Sequence, residues 1–300
     1  MKNQSISVKT GSDKMFDILN YTFLGIVFVV VAYPLFYILV ASVSNPYDVY
    51  AGKTFLFPVG FTLEGYKRIF SEAMISRGYL NSILYTVTGT FVSTALVVLT
   101  AYPLSRPTLP GRKLIMLFYV ITMYFTGGLI PTYIVVSRFH MINNMWALIL
   151  PGGVAVYNVI ISRTFFENSI PESLYDAAAI DGSSNMKTFF KIILPLSKPI
   201  IAVMAIFAMV AYWNDWFTAL IYLPSSSKAP LQLVLRQILI ESQASANMMN
   251  DMSGGYAEAN RITELIKFTS IVVASVPMLI VYPFAQKYYD KGMMFGAVKG

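Results

Sequence analysis

A chain of 300 residues that is 56% hydrophobic and only 12% charged, with a mean hydropathy of +0.60, is too apolar for a water-soluble domain, which carries roughly a quarter charged residues. The absence of cysteine excludes disulfides, thiol chemistry and Cys-based metal sites. The net charge of +7 forms no continuous basic stripe, which argues against nucleic acid and for Lys and Arg gathered beside membrane spans, facing anionic lipid.

A spanning helix needs roughly 20 apolar residues, and six runs meet that need. The first, 16–43, contains Ala41-Ser42-Val43, which resembles a cleavage site. The run is far longer than the roughly 7–15 apolar residues of a signal peptide, so an uncleaved membrane helix is expected. An outer loop over 45–78 follows, with a short surface-lying helix near Thr62-Leu63-Glu64-Gly65-Tyr66. The remaining runs are 79–104, 114–136, 145–165, 199–223 and 266–286. Pro34, Pro103, Gly127, Gly128, Pro151, Pro277 and Pro283 lie within these runs. They are candidate bends, tolerated where neighbours re-satisfy the freed backbone groups.

The positive charges set an orientation. Lys2, Lys9 and Lys14 precede the first run, and Arg106, Arg112 and Lys113 follow the second. Arg163, Lys187, Lys191 and Lys198 follow the fourth, and Lys287, Lys291 and Lys299 lie in the tail. That set places both termini in the cytoplasm. The expectation is an all-α, polytopic, multi-pass membrane protein with six transmembrane helices. It forms a single domain over 1–300 with a core over 79–288. A second outer loop, 224–263, carries an amphipathic run at 231–241 and a polar stretch at 243–260.

The loop between the fourth and fifth runs is polar, charged and organised. Pro171 suits the first helical position, and Gly182 supplies a stop by adopting positive φ without strain. Between them Leu174, Ala177, Ala178 and Asp181 share one face by i, i+3, i+4, i+7 spacing. The alanines make that face thin enough for another surface to approach. Glu172 and Asp176 charge the other face. A second helix restarts at Ser183 or Ser184, both good N-caps, with Met186, Phe189, Ile192 and Ile193 apolar and Lys187 and Lys191 opposite. Pro195 and Pro199 end it.

The pattern Asp176-Ala177-Ala178-x-x-Asp181-Gly182, then Phe189, Pro195 and Pro199, resembles the "EAA" loop of permease subunits in ATP-binding-cassette (ABC) importers. Asp176 stands where that family usually has Glu, which keeps the charge and shortens the reach by one methylene. The likeness runs from about residue 21 to 300. It takes in Asn81-Ser82, Ala101-Tyr102-Pro103-Leu104-Ser105-Arg106, Pro131-Thr132-Tyr133, Leu148-Ile149-Leu150-Pro151, Tyr212-Trp213-Asn214-Asp215-Trp216-Phe217 and the terminal Gly296-Ala297-Val298-Lys299-Gly300. These pieces are similar to the carbohydrate branch, in particular the second permease of maltose-type systems and oligosaccharide subunits of Gram-positive bacteria.

The resemblance implies the type I ABC importer permease fold, with residues 171–195 as coupling helices that dock in a cleft of a cytosolic ATPase. It implies as partners a second, homologous permease, two ATPase subunits and an extracellular sugar-binding receptor protein. It also implies that the tail, Val298, Lys299 and Gly300, reaches the ATPase interface and that 243–260 reaches into the receptor. Alternatives are an amino-acid or peptide ABC permease, or an ion-driven secondary transporter, which would need paired intramembrane acids or matching broken repeats.

No catalytic residue is expected on this chain. A P-loop needs G-x-x-x-x-G-K-[ST]. Gly52-Lys53-Thr54 has Tyr47 at the first Gly position, and the segment from Gly182 to Thr188 has Met186 before Lys187. No cofactor is therefore expected here, with ATP and Mg bound on the ATPase partners. No His, Asp and Glu cluster has metal spacing, and His140, the sole histidine, reads as an interfacial polar residue. Trp213, Asn214, Asp215 and Trp216 lie roughly 21–26 Å along the fifth run, where an ionisable group is costly unless it faces protein or water. They form either a sugar pathway, with rings for C–H faces and polar groups for hydroxyls, or an interfacial Trp belt with a structural Asn/Asp pair.

Overall fold

The computed structural model describes residues 11–249, 263 and 265–283, and among them there is no strand. Helix α1 (Gly11–Ser42) has 32 residues and Pro34 inside it, about 48 Å of helix. Only Val40, Ala41 and Ser42 are buried, so its side chains are left for lipid. Helix α2 (Pro46–Tyr50) starts with proline and is capped by Asn45, whose Oδ1 accepts from Tyr47 N at 3.0 Å. Helix α3 (Glu64–Ser71) buries Gly65 and Ile69, and α4 (Ala73–Ser105) spans 33 residues.

The expected third run bends. Helices α5 (Arg112–Tyr124) and α6 (Leu129–Arg138) meet at 115° across residues 125–128. Gly128 has φ +82° there, a value that strains any residue with a Cβ. The fourth run is not one helix either. Helix α7 (Trp146–Ile149) ends just before Pro151-Gly152-Gly153, and α8 (Val156–Ser169) restarts after it. Proline lacks the donor a continuing helix needs. Helices α9 (Glu172–Ile180) and α10 (Asn185–Thr188) follow, then a π turn at Phe189–Ile193 and α11 (Leu194–Leu196). Helix α12 (Lys198–Trp213) leaves that segment at 77°. Residues 214–216 interrupt the fifth run before α13 (Phe217–Tyr222), and α14 (Leu231–Met249) precedes α15 (Leu265–Pro283). Three of these helices are long and apolar enough to cross a membrane, or up to five if each bent pair is one span.

The described residues fall into two compact units, within Met1–Ile69 with Leu239–Val273 and within Phe70–Ile238 with Ala274–Gly300. In the first, Ser42 Oγ and Tyr66 Oη share a 2.8 Å hydrogen bond and Tyr37 meets Phe268 edge to face at 5.8 Å. In the second, α4 is the central member, packed on α12 and α8. Its buried positions include Gly78, Ser82, Gly89, Ser93 and Ala101, small residues that let helices approach where lipid supplies no hydrophobic drive. Towards the C-terminal end of α4 the core gathers Val97, Leu104, Val159, Phe166, Phe189, Ile193 and Met204.

A Cβ on Gly89 would sit 2.7–2.8 Å from three ring carbons of Tyr212. That ring is held, because Tyr212 Oη donates to Ile149 O at 3.2 Å. Gly89→Ala should cost about 1–3 kcal/mol through overpacking and lower the thermal unfolding temperature in detergent. Gly25→Ala on α1, with nothing within 4 Å, should leave that temperature unchanged.

Candidate functional site

The two-helix segment after α8 is built by local rules. Helix α9 has Pro171 as its N-cap residue, so the proline precedes the first helical position rather than occupying it. Its end is closed by two reversed bonds, Gly182 N to Ala179 O at 3.0 Å and Ser183 N to Ala178 O at 2.9 Å. This is the Schellman arrangement, and it needs the left-handed φ of +65° at Gly182. Helix α10 starts at Ser184, whose Oγ accepts from Lys187 N at 3.4 Å.

The packing divides the expected residues. Leu174, half-buried, and Ala178 and Phe189, buried, face the core. Asp176, Ala177, Asp181, Gly182 and Pro195 are exposed. The expected apolar face of α10 is split too: Phe189 and Ile193 are buried, whereas Met186 is 64% exposed beside Ile180 at 87%. The tip of the segment therefore exposes two apolar side chains, Ile180 and Met186, and two acids, Asp176 and Asp181. Neither acid makes an ion pair among the described residues.

The segment is attached to the end of α4. Arg106, its C-cap residue, donates from Nη2 to Glu172 Oε1 at 2.8 Å and from Nη1 to Glu172 Oε2 at 3.3 Å. Its Cζ lies 3.4 Å from the centre of the Tyr175 ring. Burial pushes the Tyr175 phenol above its ordinary pKa. One turn earlier, the Tyr102 ring meets Phe189 at 4.6 Å and Phe166 at 5.7 Å. Nearby, Arg112 and Arg163 converge on Glu167 at 3.5 and 2.9 Å. A groove of 590 Å³ remains between the α4 end and the segment, lined by Leu99, Arg106, Thr108, Tyr175, Asn185 and Met186 among others. Sequence reasoning missed the roles of Arg106 and Tyr102, which entered only as charge or motif letters, and of Tyr175, which did not enter at all. No local pattern pairs Arg106 with a residue 66 positions away.

The second cluster surrounds the break after α12. Trp213 is 5% exposed, and its Nε1 donates to Ala274 O at 3.1 Å. Trp216 lies under the Arg236 guanidinium at 3.4 Å. Neither ring lines a cavity among those described here. Asn214 and Asp215 do: with Ser93, Thr132, Asn158, Tyr212, Thr218 and Tyr222 they line a pocket of 520 Å³. Both also stitch the break. Asn214 Nδ2 donates back to Val210 O at 2.9 Å, and Asp215 Oδ1 accepts from Thr218 N at 3.0 Å, covering a donor that a helix start leaves free. Ser93 and Asn158 carried no sequence signal and Thr132 entered only as a motif letter, and no local pattern joins them because they come from three separate helices.

His140 adopts φ +54° in the turn after α6. Among the described residues no three His, Cys, Asp or Glu side chains group as metal ligands. Val298, Lys299 and Gly300 lie outside the described residues. So does most of 243–260, although α14 extends to Met249.

Because Asp215 caps α13, Asp215→Ala should destabilise that helix by about 1 kcal/mol and speed amide exchange at Thr218. Asp215→Asn, which keeps an acceptor, should change both far less.

Comparison with known proteins converges on one family. Residues 7–295 match the family described as "Binding-protein-dependent transport system inner membrane component". The chain is 43% identical over 288 residues to the polygalacturonan/rhamnogalacturonan transport system permease protein YtcP of Bacillus subtilis (strain 168), covering 96% of this chain and 99% of that protein. It is 40% identical to protein LplC of the same organism, covering 97% of each. Among solved structures it is similar to a chain of a bacterial ABC transporter involved in the import of the acidic polysaccharide alginate. That match has a TM-score of 0.82 and 30% identity, over 94% of this chain and 99% of that one.

Proposed function

From a chain that belongs to the family of binding-protein-dependent transport system inner membrane components, and is a carbohydrate ABC-transporter permease, we infer a subunit that moves oligosaccharides into the cytoplasm. Separate ATPase subunits drive it. It pairs with a second, homologous permease in the bacterial plasma membrane, and an extracellular receptor delivers the sugar. Both termini and the α9–α10 segment face the cytoplasm. Membership of this family sets aside the ion-driven secondary transporter.

The observation that carries the coupling role is the capped α9–α10 platform with its uncovered tip. Ile180 at 87% and Met186 at 64% exposure are apolar side chains outside the hydrocarbon in this orientation. Water contact there is unfavourable, and a cleft in an ATPase removes it. Asp176 and Asp181 beside the tip add negative charge for basic groups of that partner. The tail from Val298 to Gly300 and the outer loop 243–260 are assigned, by family likeness, to the ATPase and the receptor respectively.

The pathway reading rests on the 520 Å³ pocket. Asn158, Asn214, Asp215 and Thr218 offer hydroxyl partners there, while Tyr212, Phe207 and Tyr222 offer rings to C–H faces. The substrate class follows the named relatives: oligosaccharides of the kind that polygalacturonan, rhamnogalacturonan and alginate are built from.

Two experiments test these assignments. Tagged protein purified from solubilised native membranes should bring down a second permease and an ATPase. Ile180→Glu combined with Met186→Glu should keep the permease and lose the ATPase, and undiminished ATPase recovery would refute the docking role. Ala211→Trp, on the pocket wall, should retain both partners and reduce uptake of short oligogalacturonides at least about tenfold, because an indole projecting into the pocket takes room that a closely fitted ligand needs.

A further inference from the structure

The last turn of α4 holds both halves of the platform. Tyr102 and Arg106 are four residues apart and so lie on one face. Tyr102 grips the second half through Phe189, at 4.6 Å. Arg106 grips the first half through the fork on Glu172 and the stack on Tyr175. Tyr102 and Phe189 belong to the packed core, whereas the Arg106 fork reaches a partly exposed Glu172 beside the 590 Å³ groove that runs between the platform and the α4 end. Glu172 is itself 62% exposed and is held at the surface by an arginine only 18% exposed. A planar guanidinium that makes two parallel hydrogen bonds and stacks on a ring fixes orientation as well as distance, which a lysine does not.

The other end of this connection is the pocket. Helix α4 is continuous from Ala73 to Ser105, and Ser93 lies on the wall of the 520 Å³ pocket. From Arg106 to Ser93 is about 20 Å along a helix. A displacement of the platform thus has a direct route to the pocket wall.

We propose that Arg106 is a positioning residue that converts movement of the α9–α10 platform into movement of α4, and thereby reshapes the pocket at Ser93. It rests on the coupling reading of that platform. The Tyr102–Phe189 contact is apolar core packing, which holds the platform close without a directed bond. The Arg106 fork supplies the directional hold, so its loss leaves the platform docked and α4 unmoved.

The test uses the whole transporter, purified with its partners and reconstituted in lipid, and needs no knowledge of the sugar. The chain has no cysteine, so Ser93→Cys gives it a single thiol on the pocket wall. Its labelling by a methanethiosulfonate reagent is read by the mass of this chain, without nucleotide and with Mg·ATP plus vanadate. With Arg106 present, the two rates should differ at least about fivefold, the low end of ordinary coupling between sites. Arg106→Ala should collapse that difference, Arg106→Lys should restore little of it, and Arg106→Glu with Glu172→Arg, which remakes the ion pair without the stack on Tyr175, should recover only part. A nucleotide response in Arg106→Ala equal to that of the parent overturns the proposal, as does a parent that shows none. If Arg106→Ala does not co-purify with its partners, Glu172→Gln, which keeps the stack on Tyr175, is read in its place. Failure of the coupling reading has a different signature: the Ile180→Glu, Met186→Glu pair then retains the ATPase. Failure of the Arg106 joint alone leaves that pair without ATPase.

Discussion

Every interruption of a helix in a membrane chain must cover its own freed backbone groups, because hydrocarbon offers no hydrogen bonds. This constraint organises the structure. After α12 the chain breaks at residues 214–216, where Asn214 returns to Val210 O and Asp215 takes Thr218 N. At the α11–α12 corner, Ser197 Oγ donates to Ile193 O at 2.7 Å. Between α5 and α6 the bend falls on Gly128, whose φ of +82° strains other residues. The polar side chains that line the pocket beside α12 are thus partly the same ones that make the break possible. A pathway residue and a structural residue are not alternatives at Asp215, since one carboxylate oxygen caps a helix while the residue still forms part of the wall.

Helix α4 connects the two functional regions because small residues run along it. Gly89 admits the Tyr212 ring, Gly78 approaches Leu231, and Ser82 Oγ accepts from Leu231 N at 2.8 Å. Close approach ties α4 to α12 and to the start of α14, while its last turn reaches the platform. One helix therefore touches both the pocket and the platform. The polar groups at the platform end, Arg106 with Glu172 and Arg112 with Glu167, are partly exposed, and such pairs contribute orientation more than stability. That suits a connection required to move.

Particular residues show how much was legible beforehand. The caps of the platform were legible, since the Gly182 stop and the serine restart follow from cap chemistry, but its faces were not: Leu174, Ala177, Ala178 and Asp181 read as one open face, and Ala178 is buried while Ala177 and Asp181 are exposed. Met186, three residues before Phe189 and read on the same apolar face, is exposed while Phe189 is buried. The run at 145–165 looked continuous by hydropathy, yet Pro151-Gly152-Gly153 separates α7 from α8. In the cluster at 213–216 the sequence grouped four side chains, and the fold sends two of them to the pocket and two elsewhere. Trp213 donates to Ala274 O and Trp216 stacks on Arg236, and neither partner is near in sequence.

What the sequence alone determined was whatever depends on neighbours along the chain: apolar run length, hence a membrane protein, and the caps that start and stop the platform. These are set by transfer free energy and by hydrogen bonds that span a few residues. Only the tertiary structure decided which polar groups share the 520 Å³ pocket, which way each tryptophan turns, and that Arg106 holds Glu172 across 66 positions. Those outcomes depend on which helix surfaces meet, and helix surfaces meet through side-chain shapes such as Gly89 against Tyr212, whose fit becomes visible only once both helices are in place.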